Sequence, residues 1–357
     1  MAPFANRTTE PNLDWIGESL SEAAREALAA AGVEVTPRPE RQEALRRLAL
    51  PATGQITIAS GVRLAEQVQA RVLVTGQFEL MAAPEGSASR GSLRVTARAI
   101  DLEQVTEKAE FAETGALEDL GRIQSNLAYQ LVRSIEAKSL VTREEFDRRH
   151  PPVKITALEN YIRGLMAGTA EQRHRFFTQA YRLDGTLWQP CLHLGRMHYE
   201  QENYREAAGW LEKVGPGWPE SGEVMFLLGV SRFQTGDFEG ALRAFETLAQ
   251  GSGNPDVINN LGAAQLKLGQ ASALDNFRRA LAADATDPDY HFNTGYALWK
   301  RGDFEEAADR FRAVLDREPG DQDAILLLGR CLKRSGPRTG DLRAENLERI
   351  KDVLEAR

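Results

Sequence analysis

The chain has 357 residues, of which 42% are hydrophobic and 27% are charged, and its net charge is −8. This length is sufficient for two domains with separate cores, and the acidic balance argues against nucleic acid as a partner, because binding a polyanion requires a basic surface. No apolar run approaches the roughly 18 residues that cross a bilayer, so we expect no membrane span.

Residues 1–140 are predicted to form a small α/β domain with a mixed sheet, because helical and strand patterns interleave along them. The first helix, over 13–31, is followed by Gly32, a residue suited to a helix C-cap. Alternating apolar residues at 93–100 and 105–114 predict a hairpin. The other expected elements are helices at 40–48, 61–69 and 117–137, strands at 33–37 and 71–80, and a turn at 84–89.

Residues 141–154 are predicted to be a linker, in which Pro151 and Pro152 break any helix. A periodic pattern follows over 155–357. Glycine within a helix costs about 1 kcal/mol relative to alanine, so glycines that recur in helical patterns should be compensated by close packing. Five such glycines are spaced 34, 33, 33 and 34 residues apart: Gly195, Gly229, Gly262, Gly295 and Gly329.

Other positions keep the same period. The turns 236–239 and 302–305 each place Gly at the end of a first helix and Asp at the start of a second. Pro219 and Pro319 end two of the units. A small residue follows four of the glycines, at Ala207, Ala241, Ala273 and Ala307, and a bulky residue comes four positions later, at Leu211, Phe245, Phe277 and Phe311.

This pattern resembles the tetratricopeptide repeat (TPR), a pair of antiparallel helices of about 34 residues. The resemblance implies an all-α solenoid of about five repeats that holds another polypeptide. It includes a weaker first unit at 155–184, with Gly164 and Phe177. A solenoid end requires a polar cap, and we expect a solvated capping helix at 342–354, with one apolar stripe formed by Leu342, Leu347, Ile350 and Leu354.

The amino-terminal part resembles the α/β domain of the TolB family and of FlgO- and CsgG-like envelope proteins. Three stretches carry the resemblance: 2–6 with 14–18, 65–67 leading into 72–76, and the hairpin around 99–101. It implies a role in bacterial envelope assembly or signalling, without an inherited active site. Related domains open with a longer buried strand, so we expect the natural precursor to carry more residues upstream, including an export signal. The expected location is therefore the periplasm or cell envelope, and the alternative is the cytoplasm.

No catalytic, metal or cofactor site is expected. Cys191, His193 and His198 lie on one predicted helix, but the two histidines are five positions apart and do not share a face. No second ligand pair of zinc spacing follows. Cys191 and Cys331 are predicted to be free, buried thiols. Phosphate-binding loops, nucleophile elbows and zinc-protease motifs are missing from the sequence.

A binding groove is predicted on the first helix of each repeat. Two residues before their glycines stand Asn260 and Asn293, whose side chains could hydrogen-bond the backbone of a bound peptide. The residue four positions after each glycine should face the concave side, and we expect this stripe to be partly exposed until a partner covers it. Alternatively, the stripe packs against the α/β domain or the linker. Its members are Tyr199, Phe233, Leu266, Trp299 and Lys333.

The predicted function is that of a non-enzymatic adaptor or scaffold. Its TPR groove would hold an extended or helical segment of a protein partner, with apolar anchors for affinity, and the amino-terminal domain would attach it to an envelope assembly. The alternative is a ligand-sensing regulator, in which the α/β domain binds a small solute and the repeats relay its state. A small-molecule ligand is the less expected of the two.

Overall fold

The computed structural model describes residues 1–51, 56–81, 92–104, 106–136, 142–149, 151, 153–215, 221–251, 253–338 and 340–353. The chain separates into two compact units, Met1–Pro190 and Cys191–Arg357. The predicted turn at 84–89, Pro219 and Leu354 lie outside the described residues.

A mixed four-stranded sheet forms the centre of the first unit, as predicted. Its strands lie in the order β1-β2-β3-β4, with β1 parallel to β2 and the other pairs antiparallel. Phe78 of β2 pairs with Val95 of β3, and both side chains are buried. The strands are β1 (Ala5–Asn6), β2 (Val72–Met81), β3 (Ser92–Asp101) and β4 (Thr106–Gly115).

Seven helices accompany this sheet within the described part of the first unit. Helix α1 contacts β1 and α4, α4 contacts β3 and β4, and α3 contacts β2. Apolar side chains of α1 and α4 close the core, among them Trp15, Leu20, Ile123 and Leu127. The helices are α1 (Asp14–Ala30), α2 (Arg38–Arg47), α3 (Ile58–Gln67), α4 (Leu120–Ile135), α5 (Arg143–Arg149), α6 (Ile155–Met166) and α7 (Ala170–Leu183).

Two segments between these elements differ from expectation. The strand predicted at 33–37 is wrong: these residues form no strand and have no sheet partner, and Val33 and Val35 instead pack against an apolar cluster that includes Leu28. Helix α5 lies within the predicted linker and ends before Pro151. The ring of Phe146 in α5 is buried, 5.3 Å from that of Tyr129, so α5 is packed onto α4.

The second unit is built from antiparallel helix pairs. We call the first helix of each pair the A helix and the second the B helix. Helices α12 and α14 begin alike, with a capping side chain followed by proline: Asn254 precedes Pro255, and Asp287 precedes Pro288. The A helices are α8 (Gln189–Glu200), α10 (Ser221–Gln234), α12 (Pro255–Lys267), α14 (Pro288–Arg301) and α16 (Gln322–Leu332), and the B helices are α9 (Tyr204–Leu211), α11 (Phe238–Gly251), α13 (Ala273–Ala283) and α15 (Phe304–Leu315).

Four of the five periodic glycines lie where A and B helices meet, which confirms the close packing predicted for them; the prediction is wrong for Gly329, where a built methyl group would meet no atom within 4 Å. A methyl group built on Gly229 would lie 2.7 Å from Cε1 of Phe245, and one on Gly262 would lie 2.8 Å from Cδ1 of Phe277. The bulky residue of the B helix therefore needs glycine opposite it. The same contact joins Gly164 to Phe177 in the weaker unit, Gly195 to Leu211, and Gly295 to Phe311.

The predicted capping helix is wrong. Residues 342–353 contain no helix and pass along the A helices instead. The backbone N–H groups of Arg349 and Lys351 donate to side chains of A helices rather than to carbonyls four residues earlier. Ala344 is buried, and Leu347 and Ile350 pack against the apolar cluster of the second unit. Leu347 and Ile350, which were expected on the apolar face of a capping helix, thus pack against the core from a segment that is not helical.

Candidate functional site

A groove on the A helices contacts residues 344–352, which we call the tail segment. The groove is defined by side chains of α12 and α14: Asn259, Asn260, Lys267, Asn293 and Tyr296. All but Lys267 are buried.

Asparagine side chains hold the backbone of the tail segment. Asn293 donates from Nδ2 to the carbonyl oxygen of Arg349 at 2.6 Å and accepts from the N–H of Arg349 at 2.9 Å. Asn260 forms the same pair of bonds with Lys351, at 2.7 Å and 2.8 Å. Asn259 adds a donor to the Arg349 carbonyl at 2.9 Å. These bonds involve backbone groups that every residue except proline carries.

The tail segment runs in the direction opposite to the repeats. The hydroxyl of Tyr296, on α14, donates to the carbonyl of Ala344 at 2.9 Å. Farther along the tail, the hydroxyl of Tyr199, on α8, donates to the carbonyl of Asp352 at 2.7 Å. Since the tail contacts α14, then α12, then α8, it follows the A helices from the later repeats to the earlier ones.

An acidic cluster contacts the two basic side chains of the tail. Lys351 Nζ lies 2.8 Å from Asp287 and 2.6 Å from Asp289. Arg349 lies 2.6 Å from Asp321 and 3.5 Å from Asp289, and its guanidinium carbon lies 3.6 Å from the ring centre of Phe292. Burial opposes the charged form of Lys351, but hydrogen bonds to Asp287 and Asp289 outweigh it and raise the Lys351 pKa.

Helix starts position this acidic cluster. Asp287 caps α14 and accepts from the N–H groups of Asp289 and Tyr290. Asp321 caps α16 and accepts from the N–H of Ala324. Carboxylates are favourable at helix N-termini because unpaired backbone N–H groups concentrate positive charge there. The repeat architecture thus places acidic groups at one edge of the groove.

A buried carboxylate of the tail segment contacts Lys267 of the groove and the neighbouring Lys300. The side chain of Glu348 is only 1% exposed, and its carboxylate lies 2.6 Å from Lys267 Nζ and 3.8 Å from Lys300 Nζ. Lys267 also donates to Oδ1 of Asn346 at 2.8 Å, and its Nζ lies 5.9 Å from the ring centre of Phe233. The groove therefore contacts an acidic residue and two basic residues within four consecutive positions.

The predicted stripe is less exposed than expected. Trp299 is 1% exposed and Phe233 is 8% exposed, whereas Tyr199 and Leu266 are half-buried and Lys333 is exposed. The expectation of partial exposure is wrong for the first two. Trp299 stacks on Tyr296 at 5.8 Å and donates from Nε1 to the carbonyl of Ser335, so that its ring belongs to the core.

The structure brings Asn260 and Asn293 together on one groove, and it adds residues that the sequence reasoning missed. These are Asn259, Lys267, Asp287, Asp289, Tyr296 and Asp321. The Asp-Pro-Asp sequence at 287–289 was a usable signal, because it places two carboxylates at the start of an A helix. The involvement of 344–352 had no local signal.

Other candidate chemistry is sparse in the described part of the chain. No group of three or more His, Cys, Asp or Glu side chains there could hold a metal ion. Cys191 and Cys331 are free and buried, and burial raises the pKa of their thiols to about 12 and about 11. Among the described helices, none is long and apolar enough to cross a bilayer.

Comparison with known families identifies the repeats. The tetratricopeptide repeat model matches residues 192–255, 261–321 and 293–336. The matched residues of the second unit therefore have the sequence pattern of tetratricopeptide repeats.

Two curated proteins are similar in sequence to about half of this chain. The chain is 30% identical to the cell division cycle protein 16 homolog of Homo sapiens over 191 residues, which cover 50% of this chain and 30% of the relative. The corresponding Mus musculus protein is 29% identical over 191 residues, with the same coverage. The chain thus spans about a third of the length of these curated relatives.

Two solved structures are also similar to part of the chain. YrrB, a TPR protein with an unusual peptide-binding site, is 23% identical, covers 47% of this chain with 87% of its own, and has a TM-score of 0.37. A MamA structure from Desulfovibrio magneticus RS-1 is 19% identical, covers 47% of this chain with 98% of its own, and has a TM-score of 0.41.

Proposed function

We propose that the chain is an adaptor whose groove binds an extended segment of a partner protein. The observation that carries this proposal is the pair of asparagines that hold the backbone at 349 and 351 in both directions. An asparagine amide that both donates to and accepts from one residue recognises polypeptide backbone as such. Each of these bonds contributes on the order of 1 kcal/mol.

The spacing of the two asparagines supports an extended partner. Asn260 and Asn293 are one repeat apart in sequence, and they contact residues that are two positions apart on the tail segment. In an extended chain, residues two positions apart present equivalent backbone groups to the same side. A helical segment would instead use its N–H and C=O groups internally. We therefore favour an extended over a helical partner.

The sequence-predicted stripe has a role in this proposal. Tyr199 and Leu266 are half-buried and Lys333 is exposed, so a partner can contact their side chains directly. Phe233 and Trp299 lie beneath the groove, where their rings support the groove lysine Lys267 and the groove tyrosine Tyr296. We propose that the first three contact the partner and that the two buried aromatics shape its site.

The proposal is tested with random linear peptides displayed on phage and selected against the full chain. Selection and binding both use the chain with Arg349→Glu/Lys351→Glu, whose tail loses its bonds to Asp287, Asp289 and Asp321 and competes less for the groove. In this background Asn260→Ala/Asn293→Ala should weaken peptide binding at least about tenfold, because four backbone bonds are lost and about 1.4 kcal/mol corresponds to a factor of ten. Asn203→Ala/Asn276→Ala is the matched control, because it makes the same chemical change at side chains of the second unit that bond to Gln201 and Gln265 and not to the tail segment. Equal binding by both double variants would contradict the proposal.

The first unit is proposed to attach the adaptor to a second partner in a bacterial envelope assembly, as its resemblance to the TolB, FlgO and CsgG group implies. The corresponding location is the periplasm or envelope. Fractionation of cells that express the native gene, with cytoplasmic and periplasmic marker proteins followed in parallel, tests this location. Recovery with the cytoplasmic marker would contradict it and favour the cytoplasmic alternative.

The ligand-sensing alternative has less support. One cleft of the first unit is lined by Met1, Thr36, Arg41 and Leu64, with further apolar residues. The guanidinium of Arg41 is already paired with Glu18 at 2.5 Å. A charged solute would have to displace this buried carboxylate, which is costly because a buried charge would lose its partner.

A further inference from the structure

We propose that the tail segment is a built-in mimic of the partner, and that the groove selects extended segments with the pattern acidic, basic, apolar, basic found at Glu348–Lys351. This inference rests on the proposed function, because it names the chemistry of the segment that the groove takes. It also means that a partner must displace the tail before it binds.

Backbone geometry gives the first argument. Arg349 and Lys351 each exchange an N–H and a C=O bond with one asparagine, which is the pattern that alternate residues of an extended chain present to one side. Arg349 and Lys351, two positions apart, both reach Asp289, at 3.5 Å and 2.6 Å. Ile350, between them, packs against the apolar cluster of the second unit. The groove therefore distinguishes basic from apolar positions along one extended segment.

Charge complementarity gives the second argument. Three carboxylates, Asp287, Asp289 and Asp321, surround the two basic side chains of the tail. An acidic side chain at either basic position would meet like charges at close range, which disfavours binding. The preceding position has the opposite preference, since Glu348 lies next to Lys267 and Lys300. The groove thus selects charge by position.

Connectivity gives the third argument. Eleven residues, 333–343, separate the end of α16 from the tail segment, so the tail is tethered close to the groove. Short flexible tethers produce effective concentrations on the order of millimolar. A free partner segment must compete with this local concentration. The tail therefore lowers the apparent affinity of the intact chain for any similar segment.

The test uses the full chain and a fluorescent synthetic peptide with the sequence of residues 341–353. Arg349→Glu/Lys351→Glu in the chain should release the tail, because both side chains would then face the acidic cluster. We expect this variant to bind the peptide at least about tenfold more tightly than the wild type, measured by fluorescence anisotropy, because the tethered competitor has been removed. A peptide carrying the same two substitutions should not bind either chain.

A matched control separates tail release from net charge. Arg338→Glu/Arg343→Glu makes the same charge change in the same part of the chain, and both side chains are exposed and away from the acidic cluster. This control should bind the peptide as weakly as the wild type does. Circular dichroism must show equal helical content in the three chains, and light scattering at two protein concentrations must show monomers. A wild-type dimer that the charge reversal dissociates would assign the tail to a second copy and overturn the proposal.

The outcomes separate this inference from the proposed function. If the released chain binds selected phage peptides through Asn260 and Asn293 but does not bind the 341–353 peptide, the mimic is overturned and the peptide-binding function stands. If it binds neither, both are wrong. If the wild type and the released variant bind the 341–353 peptide equally well, the tail does not occlude the groove. The statement that a partner must displace the tail is then wrong.

Discussion

At Gly229 the A and B helices of one repeat approach so closely that no side chain fits between them. A methyl group there would lie 2.7 Å from Cε1 and 2.9 Å from Cζ of the Phe245 ring. Gly229→Leu should therefore reduce the free energy of unfolding by about 1–3 kcal/mol or more through overpacking. Thermal melts measure this. Gly329→Leu is the control, because no atom lies within 4 Å of a methyl group built there. Equal melting temperatures for the two variants would refute the packing role.

Trp299 lies in the core. Its ring is 1% exposed and its Nε1 donates to the Ser335 carbonyl. Trp299→Ala should therefore destabilise the chain by about 3–5 kcal/mol, as truncation of buried aromatics does. Urea denaturation measures the change, and Leu332→Ala, at a residue that is 64% exposed, serves as control. A Trp299→Ala chain as stable as this control would restore the prediction of an exposed binding residue.

The two cysteines should be unreactive in the folded chain. Burial disfavours the thiolate and raises the pKa of Cys191 to about 12 and that of Cys331 to about 11, above the value of about 8.5 for a free thiol. At pH 8 both are therefore protonated, and alkylation by iodoacetamide should be slow. Mass spectrometry should show both sites modified rapidly in urea, where the unfolded thiols titrate normally. Rapid labelling of either cysteine without urea would contradict the assigned burial.

At the scale of elements, the tail segment is held on the A helices by hydrogen bonds to its backbone. Asn293→Ala removes the donor and the acceptor that hold Arg349. Amide hydrogen exchange at Arg349 should therefore accelerate markedly, because the protecting bond is lost. Asn276→Ala is the control, since Asn276 bonds to Gln265 on the neighbouring helix and not to the tail. Exchange at Arg349 that is equally slow in both variants would show that Asn293 does not hold the tail.

The positions of most helices could be predicted from short-range sequence patterns. Capping residues, prolines and the periodic glycines define where A and B helices begin and end, and most predicted helices agree with the structure to within a few residues. The hairpin of β3 and β4 follows from alternation in the same way. The strand expected at 33–37 failed because alternation alone does not supply a neighbouring strand with free hydrogen-bonding groups.

At the scale of the second unit, the tail covers apolar surface in place of a capping helix. Ala344, Leu347 and Ile350 belong to or pack against its apolar cluster. Removing 341–357 should therefore lower the free energy of unfolding by about 2–4 kcal/mol, from the exposure of apolar side chains. Urea denaturation measures this, and Leu342→Asp, at a residue that is 84% exposed, is the control. A truncated chain as stable as this control would mean that the tail does not contribute to the core.

The sequence by itself determined the repeat architecture, because the glycine–aromatic pairs that set it lie within about 16 residues of each other and recur at a fixed period. It also indicated Asn260 and Asn293, whose positions relative to those glycines place them on the A helices. Only the tertiary structure decided what fills the groove. Residues 342–353 carry an apolar stripe that suits a helix, but their backbone bonds go to side chains 56 and 91 positions away. Such contacts leave no trace in local periodicity, since their stabilising groups belong to other repeats.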